Sequence, residues 1–121
     1  MLARVEDDEL RWLYANAAAL VSVAREDFGL TPLEANAFGT PAALLRAGGF
    51  LETLDEGVSG VYVEDESAES VASAVQSLLA SPPSATRVRE HARAFGRQAF
   101  IERLRILARL VASRRLPLRP P

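Results

Sequence analysis

REDFGLTPLEANAFGTP, residues 25–41, decides how the rest of the chain is read. Two carboxylates, Glu26 and Glu34, stand either side of a glycine turn with seven residues between them. Just before it, ALVSV (residues 19–23) is nearly all apolar, the composition of a strand covered on both faces in a parallel sheet. Within the stretch a helix is predicted from about Pro32 to Phe38, stopped by Gly39. An apolar strand, polar residues Arg25, Glu26 and Asp27 at its carboxyl end, and a glycine turn feeding a helix make up the edge of an open α/β sheet at which ligands bind.

Glu34 has two readings. Thr31, Pro32, Leu33 and Glu34 match a capping box, in which the threonine hydroxyl takes the third backbone N–H and the glutamate reaches back. On that account Glu34 contributes about 1 kcal/mol of helix-end stability. The second reading starts from the unpaired N–H groups of the first helical turn, which attract a phosphate with the helix dipole behind them, while Gly29 lets backbone come close. Carboxylates beside such a site repel phosphate but accept hydrogen bonds from hydroxyls. Together these features suggest a ligand with both a phosphate and vicinal hydroxyls, such as a nucleotide sugar.

Outward from this stretch, strands alternate with helices. Asp7 and Asp8 precede a short amphipathic helix carrying Leu10, Leu13, Tyr14 and Ala17. Residues 41–45 and 61–64 are the second and third predicted strands, separated by a glycine loop and a short helix, FLETLDE. Ala68, Val71, Ala72, Val75, Leu78 and Leu79 trace one face of a helix that ends before Pro82 and Pro83. Two further helical segments follow, divided by Gly96. The second bears Phe100, Ile101, Leu104, Leu107 and Val111 as an apolar stripe expected to dock on protein, with arginines as a solvated flank. The order implies an α/β fold: a partial Rossmann-like parallel sheet of about three strands with flanking helices and a C-terminal amphipathic helix. Residues 1–81 are expected to form the partial Rossmann-like unit, and residues 82–121 a helical segment ending in a frayed tail, LPLRPP. Because a parallel sheet normally has more strands, a truncated larger domain is expected.

Composition removes several chemistries. No cysteine means no disulfide or thiolate, and one histidine cannot make a histidine metal cluster. All basic residues are arginine, so lysine Schiff bases and a Walker lysine are absent. No apolar run approaches the roughly 18 to 20 residues of a membrane span. Membrane contact is not indicated, and a cytoplasmic location is expected. The net charge of −2 conceals a division: residues 1–85 hold 14 acids against 4 arginines, residues 86–121 hold 10 arginines against 2 glutamates. No aromatic residues interleave with those arginines as stacking platforms, so nucleic acid is not expected as a partner. His91, far from the glycine loop in sequence, is expected at the surface or in packing.

EDFGLTPLEANAFGTP, AGGFLETL and EGVSGVYV, in this order within residues 6–80, resemble the nucleotide-sugar-binding domain of retaining GT-B glycosyltransferases, specifically glycosyltransferase family 4 (glycosyl transferases group 1). The EDFG wording is similar to a bacterial branch that includes mannosyltransferases. The resemblance implies half of a GT-B C-terminal domain and transfer of a hexose from a nucleoside diphosphate sugar to a hydroxyl acceptor with retention. Metal is not required by the family pattern. Glu26 matches the glutamate that contacts donor-sugar hydroxyls and helps stabilise an oxocarbenium-like transition state. Phe28, Gly29 and Leu30 match the turn whose amides face sugar and phosphate, Thr31 the helix start near the diphosphate, and Glu34 the ribose-binding glutamate. Gly48 and Gly49 match a glycine loop, assigned a structural role first.

Two parts of the family pattern are missing. Its arginine and lysine pair that neutralises the diphosphate lies upstream of Met1, and its acceptor-binding N-terminal domain is absent. The helix-end N–H groups, with Arg25 or Arg46, are the counter-charges left, and the segment alone is expected to be inactive. A different reading makes the chain a non-catalytic module that assembles with another subunit, a second copy of itself included, through an exposed sheet edge or the C-terminal helix. A glycosidase using the two carboxylates is a weaker third, since the pair must face one sugar about 5 to 10 Å apart.

Overall fold

The computed structural model describes residues 4–113. Nine elements follow in chain order: α1 (Asp7–Asn16), β1 (Leu20–Ser22), α2 (Leu30–Ala37), β2 (Ala42–Leu45), α3 (Phe50–Thr53), β3 (Gly60–Val63), α4 (Ala68–Ala80), α5 (Ala85–Arg93) and α6 (Arg97–Ser113). The strands form one parallel sheet in the order β1-β2-β3, with Leu20 opposite Ala42 and Ala42 opposite Gly60. The expected α/β class and three-stranded parallel sheet are both present, and each predicted strand lies within a residue of its observed bounds. The expected LPLRPP tail lies outside the described residues.

The period-two alternation of β2 sends its side chains into two cores. On one face Ala42 and Leu44 meet Phe50 and Leu54, with Leu20 and Tyr62 beside them. On the other, Ala43 and Val63 meet Ala74 and Leu78 of α4. All four residues of β2 are buried, as a central parallel strand requires. The outer strands differ. β1 was expected to be covered on both faces, yet Val21 is 44% exposed. It stands opposite Ala43 on the face that α4 covers, and α4 lies over β3 and β2, leaving the outermost strand short of that cover.

In α4 the buried positions are Ala74 and Leu78, with Val71 and Val75 against them, whereas Leu79 is exposed. The stripe is therefore rotated from the predicted one, with Ala74 replacing Leu79. The helix starts on Ser67, whose hydroxyl accepts from the Ser70 N–H. α5 closes over α2 and α3: Val88 is fully buried, Arg89 donates to the Phe38 carbonyl, and the His91 ring meets the Thr53 carbonyl at 2.8 Å. His91 is thus a packing residue, its ring tilted against that of Phe95 with 5.3 Å between their centres. α6 behaves differently from its expected docked state. It buries no residue, and Phe100, Leu104, Leu107 and Val111 are each more than half exposed, because nothing among the described residues lies against its outer turns.

The carboxyl end of the sheet is held by two loops in backbone contact. Gly49 N–H donates to the Glu26 carbonyl at 2.7 Å. A Cβ on Gly49 would sit 2.5 Å from the Phe28 backbone, and one on Gly48 2.4 Å from the Glu26 oxygen. Gly49→Ala therefore destabilises the fold by about 1 to 3 kcal/mol through overpacking. Gly57→Ala, at a left-handed turn with nothing within 4 Å of the new methyl, costs about 1 to 2 kcal/mol from backbone conformation alone. Urea unfolding of the two variants should place the Gly49→Ala midpoint below that of Gly57→Ala. Equal midpoints would show that the two loops are not locked together.

Candidate functional site

The loop after β1 is shaped by what lies beneath it. Gly29 takes φ of +79°, and a Cβ there would lie 2.7 Å from the Phe50 ring, so the position admits glycine alone without rearrangement. This buried glycine leaves its neighbours Phe28 and Leu30 pointing outward, 55% and 60% exposed. It also moves the helix start. Gly29 is the N-cap of α2, placing Thr31 second, Pro32 third and Glu34 fifth in the helix. No side-chain hydrogen bond caps this end, so the capping box read from Thr31 and Glu34 does not form. The left-handed glycine starts the helix two residues before the predicted Pro32, leaving Thr31 inside it. Pro32 has no N–H, so the unpaired donors of this end belong to Gly29, Leu30 and Thr31.

Glu34, freed from capping, accepts a hydrogen bond from the Tyr14 hydroxyl at 3.1 Å. Burial pushes the Tyr14 phenol up to about 12, with the hydrogen bond and negative charge of Glu34 adding to it. Tyr14 is itself held against Phe38 at 6.0 Å, and its carbonyl accepts from the Thr40 hydroxyl. α1 thus orients the second carboxylate of the motif. The first, Glu26, is exposed, and its carbonyl rather than its carboxylate makes the bond to Gly49.

Two hollows open beside α2. One, of about 400 Å³, is lined by Leu30 and Glu34 on one side and by Arg89, Arg93 and Phe95 on the other. The second, of about 410 Å³, runs from Phe28 to Phe100 and Arg103, with Phe95 as a wall common to both. The structure therefore brings Leu30 and Glu34 to one hollow and Phe28 to the next, with Glu26 and Thr31 on the exposed surface nearby in the chain. Sequence reasoning missed the arginines. Arg25 is paired with Glu66, and Arg46 lies between Glu56 and Glu64 with its guanidinium 4.1 Å from the Tyr62 ring centre. Positive charge reaches α2 instead from α5 and α6, through Arg89, Arg93 and Arg103. The four-residue spacing of Arg89 and Arg93 puts both on one face of α5, the signal that was available. Among the described residues no group of three or more His, Cys, Asp or Glu is placed to hold a metal ion.

Comparison with known proteins gives this geometry a context. The model of the family described as Glycosyl transferases group 1 matches residues 1–95. A D-inositol 3-phosphate glycosyltransferase of Catenulispora acidiphila is 34% identical over 97 residues, covering 77% of this chain and 23% of the relative. One of Nocardiopsis dassonvillei is 30% identical over 127 residues, covering 97% of this chain and 30% of the relative. Among solved structures, sucrose-phosphate synthase from Thermosynechococcus elongatus superposes with a TM-score of 0.77 at 28% identity, covering 93% of this chain and 30% of that one. Anabaena HepE in complex with UDP gives a TM-score of 0.61 at 25% identity, covering 84% of this chain and 29% of that one. The chain thus spans about a quarter of the length of the curated relatives it matches.

The bond between Tyr14 and Glu34 has a readable pH signature. The chain has no lysine or cysteine, so its two tyrosines are its only side chains that titrate in the alkaline range below arginine. Tyr14 holds its proton more tightly when folded, so its contribution to stability is complete below pH 10 and is lost as pH rises through about 12. Tyr62 is also raised, by burial first, and acts in the same direction. Urea midpoints measured from neutral to strongly alkaline pH should fall steeply for the wild-type chain and less so for Tyr14→Phe. Parallel profiles would remove the Tyr14 bond from the account.

Proposed function

The chain belongs to the glycosyl transferases group 1 family, and on that premise we propose that it is the donor-binding part of a retaining, family 4 glycosyltransferase, half of a GT-B C-terminal domain. The donor is a nucleoside diphosphate hexose and the acceptor a hydroxyl compound held by a separate N-terminal domain. The observation that carries this reading is the loop seated on Gly48 and Gly49. It holds the open N–H groups of Gly29, Leu30 and Thr31 at the carboxyl end of the sheet, with Glu34 on the same helix and Arg93 across the hollow. HepE, solved with UDP, supports a uridine nucleotide as the first ligand to try.

On this reading the leaving diphosphate lies against the amides of Phe28, Gly29 and Leu30 and the start of α2 at Thr31, where helix-end donors stabilise developing negative charge. Glu34 accepts from the ribose hydroxyls, its orientation set by Tyr14. Glu26 accepts from the sugar hydroxyls and favours positive charge at the anomeric carbon as the bond to phosphate breaks. The acceptor then attacks from the face the diphosphate leaves. Arg89 and Arg93, which line the hollow with Glu34, are counter-charges for the nucleotide, in a cytoplasmic enzyme of which the chain is a truncated, by itself inactive, part.

A second reading, a non-catalytic module that assembles with another subunit, is favoured by one observation: α6 buries none of its apolar side chains. Nucleotide binding separates the two. Calorimetric titration with UDP should show binding that weakens about tenfold or more in Glu34→Ala, the loss of a hydrogen bond to a charged group worth roughly 1.5 kcal/mol. No heat of binding from the folded chain would favour the module. In an enzyme carrying this segment together with an acceptor-binding domain, Glu26→Gln should lower turnover about 100-fold or more. Unchanged turnover would take Glu26 out of the site.

A further inference from the structure

α1 buries none of its own residues, so contacts near its carboxyl end fix where it lies. Those that tie it to α2 and the loop beyond converge on Tyr14. Its ring stands 6.0 Å from that of Phe38, its hydroxyl donates to Glu34 at 3.1 Å, and its carbonyl accepts from the Thr40 hydroxyl. The last of these has a local cause. The final carbonyls of a helix have no helical N–H to accept from. In α1 the Ala17 N–H still reaches the Leu13 carbonyl, but the chain turns extended at Ala17, which leaves the Tyr14 carbonyl without a helical donor. The Thr40 hydroxyl supplies one from 26 positions away.

Thr40 is itself held firmly. It is 4% exposed, its N–H donates to the Ala35 carbonyl at 3.1 Å, and its carbonyl accepts from the Asn36 side chain at 2.9 Å. The same Asn36 amide reaches the Ser59 carbonyl at 3.3 Å, which also takes the Ala42 N–H, so Thr40 is tied to α2 and to the amino ends of β2 and β3. Glu34, by contrast, is exposed and has one side-chain partner among the described residues, the Tyr14 hydroxyl. A free glutamate loses its rotamer freedom when a ligand arrives, whereas one already held has lost it beforehand. The phenol occupies one lone pair, which leaves the carboxylate acceptor capacity for two hydroxyls.

We propose that Thr40 is a positioning residue of the nucleotide site, its hydroxyl fixing the end of α1 so that the Tyr14 phenol presents an ordered Glu34 carboxylate to a vicinal diol. This rests on the donor-binding reading of Glu34 and extends it to a residue outside the glutamate motif. Thr40 touches no ligand: it acts through Tyr14, and Tyr14 through Glu34. Without its hydroxyl the last turn of α1 frays and the phenol leaves the carboxylate.

Calorimetric titration of the folded chain with UDP tests it. Thr40→Val, nearly the same shape without the hydroxyl, should weaken UDP about fivefold, the effect of one side chain left to be ordered on binding. Thr40→Ser should restore the affinity. Tyr14→Phe should weaken UDP to a similar degree, and adding Thr40→Val to it should cost no further affinity, although Thr40→Val lowers the urea midpoint in both backgrounds. A readout without ligand accompanies this. Ultraviolet titration should show the Tyr14 phenol, raised to about 12 in the wild type, return toward the ordinary tyrosine range in Thr40→Val and not in Thr40→Ser, with Tyr14→Phe separating its signal from that of Tyr62. UDP affinity that falls in Glu34→Ala but is untouched by Thr40→Val would overturn the inference and leave the donor reading standing. So would equal losses from Thr40→Val with and without the Tyr14 hydroxyl, or a Tyr14 titration indifferent to Thr40→Val. A folded wild-type chain that gives no heat with UDP would overturn the donor reading and this inference with it.

Discussion

One hydrogen bond between two loops, from the Gly49 N–H to the Glu26 carbonyl, organises the end of the sheet where the chemistry is proposed. Parallel strands all deliver their chain to the same edge, so the loops after β1 and β2 must share it. They share it at backbone distance, which only residues without a Cβ permit: Gly48 under the Glu26 oxygen, Gly49 under Phe28, Gly29 over the Phe50 ring. The consequences run outward from that contact. Seating the loop fixes Gly29 in the left-handed region, which starts α2 at Leu30 with no side-chain cap on its first N–H groups. Phe28 and Leu30 are turned out because the residue between them is turned in.

A second constraint is where the charge goes. In the chain the acids and arginines are segregated, and in the fold they are partly brought back together. α5 lies across α2, so Arg89 and Arg93 face Glu34 over a hollow, while Arg103 reaches the Phe28 side from α6. The two arginines nearest the motif in sequence are already committed to glutamates at the surface. Exposed pairs of this kind contribute little to stability, because water and salt screen them. Their effect is to withdraw Arg25 and Arg46 from the site and leave that part to helices beyond the double proline. His91 joins the same packing by bonding a backbone carbonyl of α3, which ties α5 to the loop the glycines support.

What the amino-acid sequence determined by itself was the class and order of elements, because apolar runs of strand length and stripes of helical spacing are local patterns. β2 and β3 were legible as strands, and the glycine loop and the first glutamate as residues following the carboxyl end of β1. Three things were not local. The first helical residue of α2 depended on a left-handed Gly29 forced by Phe50, 21 positions away, so the threonine that looks like a cap lies within the helix. The role of Glu34 depended on Tyr14, 20 positions upstream, whose hydroxyl takes the carboxylate that a local reading gives to the backbone. The exposure of β1 and α6 depended on what lies beside them, and an apolar stripe carries no information about whether its partner is present. Periodicity is a property of neighbours along the chain, whereas caps, counter-charges and burial are set by neighbours across it, and those only the tertiary structure decided.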